Sequence, residues 1–394
     1  MSRKTSKPLK PATIAARAGV DEDPRYGAVM PPIYASTNYT FDGYNNIREY
    51  DYSRAGNPTR DVLGRTLAEL DGGAGCTVTS TGMSAIDLVL QLVNPGDLVL
   101  APHDCYGGTF RLLKAKSDRG LFNLHWVNQT DEKELEKAFA RKPKLVMVET
   151  PSNPLMRITD IAKVCEMAQK CGAIVAVDNT FLSPVCQRPL ELGADLVIHS
   201  CTKYINGHSD VVSGAVVAKT QEHADLMKWW ANCNGITSGA WDSYLTMRGL
   251  RTLQVRIRRQ QETTARLVEF LNAHTGVKHV NYPGLPDHPG HDIAARQQHG
   301  FGPMLSFELD GGENAVREFL AGLELFSLAE SLGGVESLIA HPATMTHAAV
   351  DKASQEKAGI TVGTLRISPG MEDAQDLIDD LDQALARAQK SLAA

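Results

Sequence analysis

Lys203 directly follows Ser200-Cys201-Thr202, at the end of the apolar run Leu196-Val197-Ile198-His199. An earlier apolar run, Ala173 to Val177, closes at Asp178. In an open parallel sheet the carboxyl ends of neighbouring strands face one crevice, and ligands bind there. The pattern thus directs one amine and one carboxylate to a common site, with the Ser200 and Thr202 hydroxyls beside the amine. Pyridoxal 5'-phosphate asks for such a set: an amine to bond its aldehyde, an acid partner for its ring nitrogen, and donors for its phosphate.

Each residue also has a plainer reading. A lysine past a strand can be a solvated strand end, but the tail Tyr204, Asn206, Gly207, His208, Ser209 and Asp210 is polar enough to line a wet pocket. Its amine attacks a carbonyl only when unprotonated, which calls for desolvating or cationic neighbours. Asp178, followed by Asn179 and Thr180, can cap the next segment, or it can keep a pyridine nitrogen protonated so that the ring draws electrons from a substrate Cα. Ser80-Thr81-Gly82-Met83 lies between a strand and a helical pattern over 84–93. That is either a capped helix after a tight turn or a helix start whose free N–H groups and positive dipole end face an anion. Ser200 and Thr202 are two apart and point the same way on extended chain, so they can complete a phosphate cup. Tyr106, before Gly107-Gly108, is a turn tyrosine or a ring lying flat on a cofactor. Arg366, inside the apolar run 364–368, makes an internal salt bridge or offers its planar fork to a substrate carboxylate, helped by Asn153. Arg111 and Glu330 are further charged candidates, or solvated-face residues. No metal ligands are expected.

Short apolar runs at 76–79, 98–101, 124–127, 145–149, 174–178, 196–200 and 215–218 would position these groups. They alternate with helical patterns such as 84–93 and 160–171. The alternation predicts an α/β fold with a mostly parallel seven-stranded sheet and helices on both faces. Residues 1–60 are irregular and read as an arm that packs on something else; 61–250 form the large domain. Residues 251–394 form a smaller C-terminal α/β domain with strands at 304–309 and 364–368 and a last helix at 372–391. An amphipathic helix over 252–275, with an Arg- and Gln-rich polar face, would bridge the two. There is no internal repeat and no low-complexity segment.

Composition narrows the class. The chain has 394 residues, 43% of them hydrophobic, and a formal net charge of −6. No basic stripe points to nucleic acid, so small molecules are the expected ligands. The seven cysteines (76, 105, 165, 171, 186, 201, 233) form no Cys-x-x-Cys, and their odd number argues against a disulfide framework. A reducing, cytoplasmic location is expected. No apolar run approaches the ~18 residues of a membrane span. Met1 to Val20 is basic, lacks an apolar signal core, and reads as an exposed arm. No G-x-G-x-x-G or G-x-x-x-x-G-K-[ST] motif points to a nucleotide. A pyridoxal-phosphate carrier without turnover and a nicotinamide dehydrogenase are the rival classes; the missing glycine fingerprint disfavours the second.

Taken together, the segments resemble the Cys/Met-metabolism family of pyridoxal-phosphate enzymes. The run from Ser200 through Lys203 to Asp210 is similar to that family's lysine signature. The likeness extends over Asp51 to Arg60, Thr81-Gly82-Met83, Asp104 to Gly108, Glu149 to Pro154, Val177 to Thr180, Glu330 to Ser337 and Arg366-Ile367-Ser368. It covers the chain from about Ala12 to Leu392. Ala101-Pro102-His103-Asp104, Trp229 to Asn232 and Ala295 to Gln298 carry a finer likeness to bacterial members that join an O-acylhomoserine and cysteine.

The resemblance implies a pyridoxal-phosphate transferase of fold type I, built as a homotetramer of active dimers. Tyr52 and Arg54 would reach the phosphate of the neighbouring subunit's cofactor. Gly82, Met83, Ser200, Thr202 and Thr180 would hold the cofactor within the subunit, Asp178 would pair with its nitrogen, and Tyr106 would cover its ring. Lys203 and Tyr106 would stand at the reacting centre. Arg366, Asn153 and Ser331 would orient the substrate, with Glu330 and Arg111 toward its distal end. The implied reaction is γ-replacement: Lys203 moves protons between Cα and Cβ, the acyl group leaves Cγ, and cysteine thiolate adds there to give cystathionine. The alternative is γ-cleavage of cystathionine. One departure matters: Ala55 stands where some members have a second arginine, which leaves the succinyl or acetyl preference open.

Overall fold

The computed structural model describes residues 8–348 and 350–393. Seven strands form the larger sheet: β1 Gly75–Thr79, β2 Leu98–Pro102, β3 Asn123–Val127, β4 Leu145–Glu149, β5 Ile174–Asp178, β6 Leu196–His199 and β7 Gly214–Ala218. Their order is β1-β7-β6-β5-β4-β2-β3, and β7 alone runs against its neighbours. The expected strands are all present, each within a residue or so. β6 stops at His199 rather than Ser200, because the chain turns at once toward Lys203.

Alternate side chains of each strand feed two cores, as the period of two requires. Val146, Val148, Val175, Val177 and Val197 pack with Leu63 and Leu67 of the helix Pro58–Asp71. Leu145, Met147, Ala176 and Ile198 pack with Ala85 and Leu88 of the helix Gly82–Val89 on the opposite face. The first of these helices starts where Asn57 accepts hydrogen bonds from the Thr59 and Arg60 N–H groups, with Pro58 at its first position. It stops at Gly72, whose φ is 75°.

A second sheet holds β8 Val277–Asn281, β9 Leu305–Leu309, β10 Ser327–Leu328, β11 Leu338–Ala340 and β12 Thr364–Ser368, in the order β10-β11-β12-β9-β8. Three of these, β8, β10 and β11, lie outside the sequence expectation. They are short or at an edge, β8 is only partly buried and β10 is exposed, so no apolar alternation marks them. The helix Leu253–Ala273 joins both cores, through Leu253 and Ile257 at one end and Leu267, Val268 and Leu271 at the other. Its expected polar face needs correction: Arg256 and Gln260 are buried.

The exposed-arm reading of the first residues is also corrected for those described. Ile14, Ala15 and Ala18, in and after the helix Pro11–Ala16, are buried in the main core beside the helix Pro58–Asp71. Residues 1–7 lie outside the described residues. From 20 to 57 there is neither helix nor extended strand, and Tyr26, Val29, Tyr34, Phe41, Tyr44, Ile47 and Tyr52 stand exposed.

Candidate active site

Twelve of the expected residues meet in one cavity of about 380 Å³ between the carboxyl ends of the large sheet and the second sheet: Gly82, Met83, Tyr106, Asn153, Asp178, Thr180, Ser200, Thr202, Lys203, Glu330, Ser331 and Arg366. Tyr52, Arg54 and Arg111 do not line it. Arg111 is exposed on the helix Gly107–Asp118. Arg54 gives its Nε–H to Asn232 Oδ1 at 2.9 Å and lies over the Tyr52 ring.

Lys203 is half-buried, and its Nζ donates to Ser331 Oγ at 2.8 Å. Burial first, then the Arg366 charge, pulls the amine down to about 8, against a smaller opposing effect of Glu330. Such an amine is far more often neutral near physiological pH than an ordinary lysine. The helix Leu253–Ala273 fixes the turn behind it: Arg256 donates to the carbonyls of Tyr204, Ile205 and Gly249. Gln260 Nε2 reaches the Gly334 and Pro369 carbonyls on the far side.

Asp178 ends β5 and opens to the cavity rather than to bulk water. It accepts the Thr180 N–H at 3.0 Å, a local turn; the capping reading fails, because the next helix, Ser183–Cys186, starts after Leu182 with no side-chain cap. Thr180 Oγ1 in turn accepts the Ser200 N–H at 2.9 Å. Burial pushes the Asp178 carboxyl above its ordinary value, with the Thr180 hydrogen bonds and His199 working against it. Glu149, its neighbour at the end of β4, is pushed up by burial and by the Asp178 charge. Two facing carboxyls short of a cation suit a protonated ring nitrogen, which would relieve both.

The helix Gly82–Val89 begins two residues before the sequence pattern suggests, with Thr81 accepting the Ser84 N–H at 2.8 Å. Gly82 and Met83, in the first turn where backbone N–H groups lack helical partners, therefore line the cavity beside Ser200 and Thr202. A Cβ on Gly82 would stand 2.7 Å from Ser200 Cβ, so only glycine allows this approach. Ser200 and Thr202 both line the cavity, but the chain turns there rather than running extended, and the Thr202 hydroxyl donates to the Ser213 carbonyl and accepts the Ser213 N–H. At Gly108 a Cβ would meet the Tyr106 ring and Met83 Sδ, so glycine lets the ring fold back over the helix start.

Arg366 is only 3% exposed. Its Nη1 donates to Asn153 Oδ1 at 2.9 Å and its Nη2 to the Ser331 carbonyl at 2.8 Å. Among the described residues its Nε has no hydrogen-bond partner, and the salt-bridge reading fails, since both acceptors are neutral. A buried cation facing neutral oxygens calls for an anion. Ser331, which holds both Lys203 and Arg366, sits at φ 100°, a region side-chain-bearing residues rarely adopt.

Sequence reasoning missed three groups here. Glu149 ends its strand just as Asp178 does, so the same strand-end rule would have found it. His347 is 2% exposed; burial and Arg366 hold it near 4, hence neutral, and among the described residues its Nε2 has no partner. His199 faces the opposite side of the sheet, 2.7 Å from buried Asp71. No sequence spacing links either histidine to the site. Among the described residues no cluster of His, Cys, Asp and Glu could hold a metal ion, and no helix is long and apolar enough to cross a membrane. All seven cysteines are free.

A fold with an amine, an acid and an anion cradle at the carboxyl ends of a mostly parallel sheet defines a class. The chain belongs to the Cys/Met metabolism PLP-dependent enzymes, whose family model matches residues 12–386, and pyridoxal 5'-phosphate is its cofactor. It is 57% identical to the cystathionine gamma-synthase of Escherichia coli (strain K12), over 97% of this chain and 99% of that one. It is 42% identical to the cystathionine gamma-lyase of Bacillus subtilis (strain 168), over 96% and 99%. A solved structure of cystathionine gamma synthase from Xanthomonas oryzae pv. oryzae in complex with cystathionine superposes with a TM-score of 0.97. It is 57% identical, covering 98% of this chain and 100% of that one.

Proposed function

We propose that this chain joins an O-acyl-L-homoserine, the O-succinyl or O-acetyl ester, to L-cysteine by γ-replacement, giving L-cystathionine on the route to methionine. The observation that carries the reading is the neutral-prone Lys203 amine set across one cavity from buried Arg366, whose nearest acceptors are uncharged. When bound, pyridoxal phosphate draws electron density from the substrate's Cα and Cβ. The 57% identity to a γ-synthase, against 42% to a γ-lyase, favours replacement over cleavage.

In this reading Lys203 anchors the cofactor through its amine, then takes the protons from Cα and Cβ, which lets the acyl group leave Cγ as its carboxylate; once the cysteine thiolate has added at Cγ, Lys203 returns protons to Cβ and Cα. Asp178, steadied by Thr180, pairs with the ring nitrogen, and Tyr106 covers the ring. The N–H groups of Gly82 and Met83, with the Ser200 hydroxyl, hold the phosphate, and Thr202 reaches it by turning its hydroxyl from the Ser213 carbonyl. Arg366, Asn153 and Ser331 hold the substrate α-carboxylate, and Glu330 stands at the rim. Tyr52 and Arg54, which do not line their own cavity, serve the neighbouring subunit's phosphate; Asn232 occupies the Arg54 Nε and leaves its two terminal nitrogens to the anion. Residues 1–60, of which Ile14, Ala15 and Ala18 join the main core, the large domain 61–250 and the C-terminal domain 251–394 build, in this reading, a cytoplasmic homotetramer of two active dimers. The exposed aromatic and aliphatic residues between 20 and 57 supply contact surface.

Product analysis with O-succinylhomoserine, with and without cysteine, tests the reaction. Cystathionine is the expected product in the presence of cysteine; α-ketobutyrate and ammonia alone would assign elimination instead. Two substitutions probe the binding ends. Gly82→Ala drives a methyl against Ser200 and is expected to weaken pyridoxal phosphate binding by about 10-fold, read by titrating the apoprotein. An unchanged affinity would move the phosphate elsewhere. Arg111→Ala is expected to raise KM for the succinyl ester about 10-fold more than for the acetyl ester. Equal effects on both esters would remove Arg111 from the distal carboxylate.

A further inference from the structure

Glu149 and Asp178 are register partners at the ends of parallel strands β4 and β5. They share one face, that of Met147 and Ala176. Parallel neighbours lie about 4.8 Å apart, so strand position alone does not distinguish the two carboxylates. Their hydrogen bonds do. Asp178 is held from one side, by Thr180, and keeps the rest of its carboxylate toward the cavity. Glu149 has each oxygen on a backbone donor from a different loop: Oε2 accepts the Tyr106 N–H at 2.9 Å, and Oε1 accepts the Asn153 N–H at 3.2 Å.

We propose that Glu149 is a positioning residue that ties the loop 103–106 to the loop 150–154, and so sets the Tyr106 ring and the Asn153 amide as one unit. The tie continues into the second sheet, because Asn153 Oδ1 accepts from Arg366. A parallel tie shows that the two loops are joined by design of charge rather than by one chance contact. Asp104 Oδ2 accepts from Ser152 Oγ at 2.7 Å and from Arg157 Nη1 at 3.0 Å. Glu149 is 8% exposed, so water is a poor substitute for either bond. One side chain thereby couples the group covering the cofactor to the group clamping the substrate.

The functional half of this proposal rests on the roles given above to Tyr106 and Asn153; the tie itself does not. Glu149→Gln in the holoenzyme tests it. Glutamine keeps the length but turns one oxygen into an NH₂ donor, which cannot accept a backbone N–H, so one of the two ties breaks. Expected are a rise of about 10-fold in KM for the O-acylhomoserine or in the pyridoxal phosphate dissociation constant, depending on which tie is lost, and a changed visible circular dichroism band of the bound cofactor. A loss confined to kcat, with both binding constants within about twofold of wild type, overturns the positioning role. Amide hydrogen exchange on the wild-type protein supplies a readout that needs no variant and no substrate. The Tyr106 and Asn153 amides should be protected although both lie in loops. Exchange at open-loop rates removes the tie, even if the variant fails to fold. Protected amides beside wild-type constants in Glu149→Gln overturn its functional half.

Discussion

Lys203→Ala is expected to lower kcat by roughly 10⁴-fold or more, because one side chain anchors the cofactor, takes the proton at Cα and returns it. The structure equips this amine for the task. Its value of about 8 comes first from burial and then from Arg366. Both disfavour the charged form, so the neutral amine dominates above about pH 8 and becomes tenfold scarcer with each unit below. The rate at which the apoprotein captures pyridoxal phosphate should therefore climb about tenfold per pH unit up to about 8 and level off above it. Absorbance stopped-flow across that range checks the slope. Borohydride reduction of the holoenzyme, digestion and mass analysis check the atom: the tag belongs on the peptide around Lys203. A tag on another lysine, or substantial turnover in Lys203→Ala, defeats the central assignment.

How much of this was legible in the sequence follows from what each residue does to the local pattern. Asp178, Lys203 and Arg366 announce themselves because a polar group interrupts or closes an apolar run, and the strand-end rule then gives them one location. Gly82 is visible because a strand runs directly into a helix there. Ser331 carries no such local signal and is reached only through the family likeness, since its importance lies in a backbone angle and in two hydrogen bonds to residues 128 and 35 positions away. Arg256 and Gln260 look like the wet face of an amphipathic helix. They are buried because that helix runs between two sheets, and tertiary packing overrides the period. Ile14 and Ala15 were hidden in an unpatterned start, because a helix of six residues has too few turns to show a face. The short strands β10 and β11 have two and three residues, below the length at which alternation can be read.

Arg366→Leu is expected to lower kcat/KM for the amino-acid substrate by roughly 10²–10³-fold, chiefly through KM. The guanidinium is buried, its two terminal nitrogens are held by Asn153 and Ser331, and its Nε is unpartnered among the described residues. That fork is preorganised before any ligand arrives, which is what a planar carboxylate rewards. Arg366→Lys keeps the charge but not the fork, and should recover only part of the loss. A second consequence separates a binding role from simple disruption. Arg366 is one of the two causes holding the Lys203 amine down, so leucine at this position should move the plateau of the cofactor-capture profile to higher pH, while lysine should leave it near its original place. Burial alone would leave both profiles unchanged. A leucine variant with unaltered KM and an unshifted profile would break the link between the two residues and, with it, the carboxylate site.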